Sequence, residues 1–116
     1  MKNKEYYSIN KMLEYVNKVE KLSNELSFES FSNNEIVIDA TVFAISQIGE
    51  LVKNIGKEFQ KEHSTIKLSI IKSVRNRIVH DYEGINLTMI WTIVKIDIPR
   101  LKQDLILISK ENDEIE

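Results

Sequence analysis

Apolar residues recur at three- and four-residue spacings along most of this chain, a pattern typical of amphipathic helices. Three glycines and one proline in 116 residues leave little material for the tight turns of a β-rich fold. Pattern and composition together predict an all-α protein, an antiparallel bundle of four to five helices.

The first two helices are separated by a polar stretch. Residues 4–26 carry the first apolar stripe, and residues 27–34 are predicted to form a loop or a single helical turn. The second helix is expected to begin at Asn33 or Asn34, either of which can cap it, and its stripe continues to Phe59. This stripe is wider than one core face needs, which would suit either a central helix or a partner surface.

Two more helices follow. Ser64 or Thr65 can cap the third, and Asn86 is predicted to cap the fourth. Pro99 is expected to kink the fourth helix or to mark a restart, because proline removes an amide donor and crowds the preceding turn. The tail 110–116 is expected to be frayed.

Composition narrows the class of protein. The length fits one domain covering residues 1–116, and 42% hydrophobic with 29% charged residues is ordinary for a globular chain. The absence of cysteine excludes disulfides, thiol catalysis and cysteine-based zinc sites. No signal-peptide pattern or long apolar run is present, so a cytoplasmic protein is expected. A net charge of −2 gives no global reason to bind nucleic acid, so any such binding must be local.

Reactive side chains are concentrated in residues 73–82. On a helix, Asn76 and His80 share a face, whereas Arg75 and His80 cannot both aim at one point. A two-fold partner would bring Arg75 of one subunit towards His80 of the other. We therefore expect a composite site in a homodimer, with Arg77 as a further supporting cation.

These side chains suit a reaction in which a 2′-hydroxyl of RNA attacks the neighbouring phosphodiester and cleaves the chain. A histidine with a pKa of roughly 6.5 can accept the hydroxyl proton or protonate the leaving oxygen. The fork of Arg75 can bind phosphate oxygens as charge builds up. Asn76 can orient the phosphate or the imidazole of His80, and Tyr82 can donate a hydrogen bond or stack on a base.

Structural interpretations compete with this chemistry. An arginine and a histidine on one helix more often serve a surface ion pair or a cap, and His80 would be stabilised as a cation near a helix C-terminus. His63 is expected to be a solvated helix-end residue, and Trp91 a core residue. Four lysines fit solvated surface groups better than a phosphate-binding rim: Lys53, Lys57, Lys67 and Lys72. Neither metal-ligand spacing nor a phosphate-binding glycine loop is present, so no metal or cofactor is expected.

The motif residues Arg75 to Tyr82 resemble the R-x4-H-x-Y pattern of the HepT toxins, members of the HEPN superfamily of helical ribonucleases. Asp81 stands where many relatives carry glycine. The resemblance covers roughly residues 7–108, and further matching stretches are 26–31, 48–50, 87–94 and 97–99.

This resemblance implies a helical dimer with the two motifs facing each other in a cleft. It implies metal-independent endoribonuclease action by the toxin of a type VII-like toxin–antitoxin pair. Arg75 and His80 would be the catalytic pair and Asn76 a supporting residue. The partner would be a minimal nucleotidyltransferase, MntA, that attaches AMP to Tyr82. The alternatives are a non-catalytic helical module that binds nucleotides or a nucleotidyltransferase, and a purely structural dimerisation role.

Overall fold

The computed structural model describes residues 3–63 and 86–115, with residues 3 and 112–115 described as backbone alone. Its α-helices are α1 Asn3–Ser23, α2 Phe28–Ser32, α3 Glu35–Leu51, α4 Lys57–Glu62, α5 Leu87–Thr92 and α6 Ile98–Ile115. A 3-10 turn, Val52–Asn54, follows α3, and a π-helical turn, Ile93–Asp97, joins α5 to α6. These ranges contain no strand, and the all-α prediction is confirmed.

Helices α1 and α3 run antiparallel. Near the start of α1, the carboxylate of Glu5 accepts a hydrogen bond from the backbone N–H of Gly56, which lies beyond the end of α3, at 3.1 Å. Further along α1, the ring of Tyr15 meets that of Phe43 edge-on, with centroids 6.4 Å apart. Later residues of α1 therefore contact earlier residues of the segment that contains α3 and Gly56.

Helices α1 and α6 are also antiparallel. The side chains of Asn10 and Ser109 are hydrogen-bonded at 2.8 Å, and Lys102 donates to Glu20 at 2.7 Å. Helix α1 is thus the central element of the described fold, with α3 and α6 packed against it.

The core lies between these three helices and α5. The predicted stripe of α1 is confirmed, because Ile9, Met12, Val16 and Val19 are fully buried. Their partners from the other helices include Ala44, Ile45, Ile48, Ile90, Ile98 and Leu105. Burying one such aliphatic side chain stabilises the fold by about 1.5–3 kcal/mol.

The connection from α1 to α3 contains the short helix α2. The Ser27 hydroxyl accepts from the N–H of Ser30, and the Ser30 hydroxyl accepts from the N–H of Ser27, which is a capping box. Asn33 ends α2, and Asn34 caps α3 by accepting from the N–H of Val37 at 3.1 Å. The single helical turn and the cap at Asn34 were both among the expectations.

The second predicted helix is shorter than expected. Its apolar stripe predicted continuity to Phe59, whereas α3 ends at Leu51, and Ile55 is extended with φ −97° and ψ 112°. Gly56 is the N-cap of α4, which begins at Lys57, and its N–H donates to the carboxylate of Glu5. That partner lies 51 residues earlier in the chain, so local periodicity could not indicate this contact.

Pro99 has the effect on the last helix that its chemistry predicts. It has no N–H for the carbonyl of Lys95, and its ring crowds the preceding turn. The chain widens into the π-helical turn Ile93–Asp97 immediately before it and then continues as α6. Helix α6 extends to Ile115, through the tail that was expected to be frayed. No helix within the two described ranges is long and apolar enough to cross a membrane.

Candidate functional site

The predicted site residues lie outside the described residues. Arg75, Asn76, Arg77, His80 and Tyr82 all fall within residues 64–85, so their mutual geometry stays a prediction. The structure does describe where the chain leaves for this segment, at His63, and where it returns, at Asn86. These two ends are held by specific contacts.

His63 holds the end of α4. Its Nδ1 lies 2.9 Å from the carbonyl oxygen of Phe59, and its Nε2 lies 2.8 Å from Oε2 of Glu111 on α6. The imidazole also stacks on the Phe59 ring, with centroids 4.3 Å apart. His63 lies at a helix end, as expected, but only 11% of its side chain is exposed, so the expectation that it is solvated is wrong. Glu111 lies 48 positions later in the chain, and spacing alone could not have indicated this pairing.

Asn86 is the first described residue after the motif segment. Its side-chain oxygen accepts a hydrogen bond from the N–H of Met89 at 3.0 Å, which confirms the predicted N-cap of α5. This cap sets the residue at which α5 begins.

Trp91 on α5 packs against α2. Its ring centroid is 5.0 Å from that of the buried Phe31 and 6.2 Å from that of Phe28. The indole is half-buried against the core, as its position on the apolar stripe predicts.

Lys95 completes this cluster, and sequence reasoning missed it. Its Nζ lies 4.7 Å from the Trp91 ring centroid and donates to the carbonyl oxygen of Ser23 at 3.2 Å. Ser23 is the last residue of α1, where carbonyl groups lack helical partners. The Ser23 carbonyl oxygen also accepts from the N–H of Leu26, so Lys95 is its second donor, and the cation complements the helix dipole.

Of the four lysines weighed as a phosphate-binding rim, Lys53 and Lys57 are surface groups, and Lys67 and Lys72 lie outside the described residues. Lys53 is exposed and forms an ion pair with Glu50 at 3.0 Å, and Lys57 is exposed at the start of α4. This agrees with the solvated interpretation. Among the described residues, no three His, Asp or Glu side chains are grouped so that they could hold a metal ion.

Comparison with known proteins identifies the family. The profile described as "Ribonuclease HepT-like" matches residues 12–108 of the chain. The chain therefore belongs to the HepT-like ribonuclease family.

Individual relatives agree with this assignment. A protein of Caldanaerobacter subterraneus subsp. tengcongensis named "Putative RNase" is 35% identical over 80 residues, covering 69% of this chain and 71% of its own. "Probable ribonuclease HepT" of Thermococcus cleftensis is 33% identical over 77% of this chain and 81% of its own. "Gamma-glutamylcyclotransferase and putative RNase" of Methanocaldococcus jannaschii is 30% identical over 90% of this chain, which spans only 47% of that protein. No solved structure matches the chain.

Proposed function

We propose that this protein is a metal-independent endoribonuclease in which Arg75 and His80 are the catalytic residues. One observation carries the proposal: the family match over residues 12–108 includes the entire Arg75 to Tyr82 motif. The family makes RNA the expected substrate class, and the motif supplies a proton-transfer group and a phosphate-binding cation.

The reaction needs only the substrate and these side chains. Neutral His80 accepts the proton of a 2′-hydroxyl, whose oxygen attacks the adjacent phosphorus. The bond to the 5′-oxygen breaks, that oxygen takes up a proton from the protonated imidazole, which returns to its neutral form, and a 2′,3′-cyclic phosphate and a 5′-hydroxyl remain. The planar, permanently charged Arg75 stabilises the non-bridging oxygens as negative charge develops. Asn76 orients the phosphate or the imidazole, and Arg77 adds positive charge.

The site is composite. Arg75 and His80 are five residues apart, which places them on different faces of one helix. A two-fold homodimer resolves this, because Arg75 of one subunit can approach His80 of the other. Helix α3 also exposes two apolar side chains, Ile36 and Phe43. They could form a further surface for contact with a second protein chain.

Tyr82 is proposed as the off-switch in a toxin–antitoxin pair. A cognate MntA-like nucleotidyltransferase would direct the Tyr82 oxygen to the α-phosphorus of ATP, with pyrophosphate leaving and AMP remaining on the tyrosine. The adenylate adds negative charge and bulk beside the catalytic pair. Because the substrate is also a phosphate, the modification would exclude RNA by competition.

The test is cleavage of a labelled RNA in the presence of EDTA. We expect chelator-resistant cleavage by the wild type and its loss in Arg75→Ala and in His80→Ala. An all-2′-deoxy version of the same oligonucleotide should stay intact, because it lacks the attacking hydroxyl. Lys53→Ala, at an exposed lysine that pairs with Glu50, is the control and should retain activity. Undiminished cleavage by His80→Ala would refute the assignment, and an inert wild type would favour a non-catalytic partner module.

A further inference from the structure

One face of α1 alternates aromatic and basic side chains. Tyr7, Lys11, Tyr15 and Lys18 follow at spacings of four, four and three residues, which places them on one side of a helix. We call these four residues the α1 strip. Tyr7 is 62% exposed, and Lys18 is also exposed. The strip faces a different side of α1 from the fully buried core residues, and Tyr15 at its edge is half-buried against the core and packs on Phe43.

The lysines of the strip already lie against its rings. Nζ of Lys11 is 5.9 Å from the Tyr7 ring centroid, and Nζ of Lys18 is 5.6 Å from the Tyr15 centroid. Lys11, Glu14, Tyr15 and Lys18 line an open cavity of about 220 Å³. The strip therefore presents flat rings and cations side by side, next to a surface depression.

Most of the acidic side chains of α1 form contacts away from the strip. Helix α1 contains three glutamates and four lysines. Glu5 binds the N–H of Gly56, and Glu20 pairs with Lys102, both away from the strip. Glu14 alone of the three pairs with a strip residue, Lys11, at 3.1 Å. Its hydrogen bond and its charge raise the pKa of Lys11, which stays a cation at neutral pH.

Lys4 and Lys21, the remaining lysines of α1, extend the positive face. Lys4 lies seven residues before Lys11, and Lys21 three residues after Lys18, and both are exposed. The protein as a whole carries a net charge of −2, so this positive surface is a local feature. A local basic surface interleaved with aromatic rings is the pattern by which proteins bind single-stranded nucleic acid without base-specific contacts.

We propose that the α1 strip binds single-stranded RNA, with a base stacked on Tyr7 and phosphates at Lys11 and Lys18. The proposal rests on the proposed function only for the identity of the polymer. Tyr7 and Tyr15 are about 12 Å apart along the helix axis, so the strip contacts several nucleotides. A protein partner fits less well, because lysine is depleted at the centre of protein interfaces.

The test measures binding without cleavage. A fluorescein-labelled, unstructured RNA of about 12 nucleotides, fully 2′-O-methylated, is titrated with wild-type protein at several salt concentrations. Tyr7→Ala should weaken binding about fivefold or more and leave the salt dependence unchanged, because it removes stacking alone. Lys11→Ala and Lys18→Ala should each lower the slope of log affinity against log salt by about 0.7.

Lys53→Ala is the matched control. Lys53 pairs with Glu50, three residues away, and Lys11 likewise pairs with Glu14 three residues away. The side chain of Lys53 is 52% exposed and that of Lys11 is 43% exposed. This variant should bind RNA like the wild type. Equal losses in Lys53→Ala would point to diffuse attraction and overturn the proposal. Unchanged binding in all three strip variants would also overturn it, as would the absence of binding by the wild type. A change of oligomeric state in Tyr7→Ala would show that the strip is a protein interface and would overturn the proposal as well.

Binding and catalysis can fail separately here. The 2′-O-methylated RNA cannot be cut through a 2′-hydroxyl, so strip-dependent binding by a protein that never cleaves ordinary RNA would refute the proposed function alone. Efficient cleavage and binding by Tyr7→Ala, Lys11→Ala and Lys18→Ala would refute the strip alone.

Discussion

Nε2 of His63 lies 2.8 Å from Oε2 of Glu111, and this contact ties the end of α4 to the last helix of the bundle. His63 is the last described residue before the segment that carries the motif. The same imidazole stacks on Phe59 and contacts its carbonyl oxygen. His63 therefore contacts both its own helix, α4, and the distant helix α6, immediately before the motif segment.

Replacing His63 with alanine should lower the free energy of unfolding by about 1–3 kcal/mol, because the contacts of its ring nitrogens with the Phe59 carbonyl oxygen and the Glu111 carboxylate are lost, together with a ring stack. Urea denaturation followed by circular dichroism measures the change. A double-mutant cycle with Glu111→Ala isolates the pairwise part and should give a coupling free energy of about 0.5–2 kcal/mol. Additive effects of the two substitutions would show that the contact contributes nothing.

Glu5→Ala should destabilise the protein by about 1 kcal/mol, because the carboxylate binds the Gly56 N–H and places negative charge at the positive end of α4. The comparison variant is Glu14→Ala, which removes an exposed glutamate of the same helix and should change stability much less. Equal thermal midpoints for the two variants would contradict the role of Glu5.

Phe31→Ala should cost about 3–5 kcal/mol, because the side chain is fully buried and packs on Trp91. Phe28 contacts the same indole but is 41% exposed, so Phe28→Ala should cost markedly less. Trp91 is the sole tryptophan of the chain, so its fluorescence reports on both variants. A smaller loss for Phe31→Ala than for Phe28→Ala would be inconsistent with the packing.

Periodicity and cap chemistry were sufficient to predict much of the fold. The α1 stripe from Ile9 to Val19 and the caps at Asn34 and Asn86 depend on residues close in sequence, and the structure confirms them. The π-helical turn before Pro99 likewise follows from local sterics.

Features that depend on distant partners were not predictable from spacing. The contact between Glu5 and Gly56 spans 51 residues, and that between His63 and Glu111 spans 48. Lys95 binds the end of α1 from 72 residues away. The roles of Arg75 and His80 were inferred from residue chemistry and family resemblance, and their geometry lies outside the described residues. A composite site also needs a second subunit, which one sequence cannot position.

Tyr82→Phe should abolish adenylation by the cognate nucleotidyltransferase, because the attacking hydroxyl is absent. The protein is incubated with that partner and ATP, and intact-mass spectrometry detects added AMP. Tyr7→Phe, a change at an exposed tyrosine on α1, is the control and should still be modified. Adenylation that persists in Tyr82→Phe would place the modification on another residue.

Mixing two inactive variants tests the composite ribonuclease site most directly. Arg75→Ala and His80→Ala proteins are unfolded, combined in equal amounts and refolded, and RNA cleavage is measured in EDTA. Half of the dimers would be mixed, and each would hold one complete site, with Arg75 from one subunit and His80 from the other. We predict recovery of about a quarter of the wild-type activity. No recovery from correctly refolded mixed dimers would contradict a site shared between subunits.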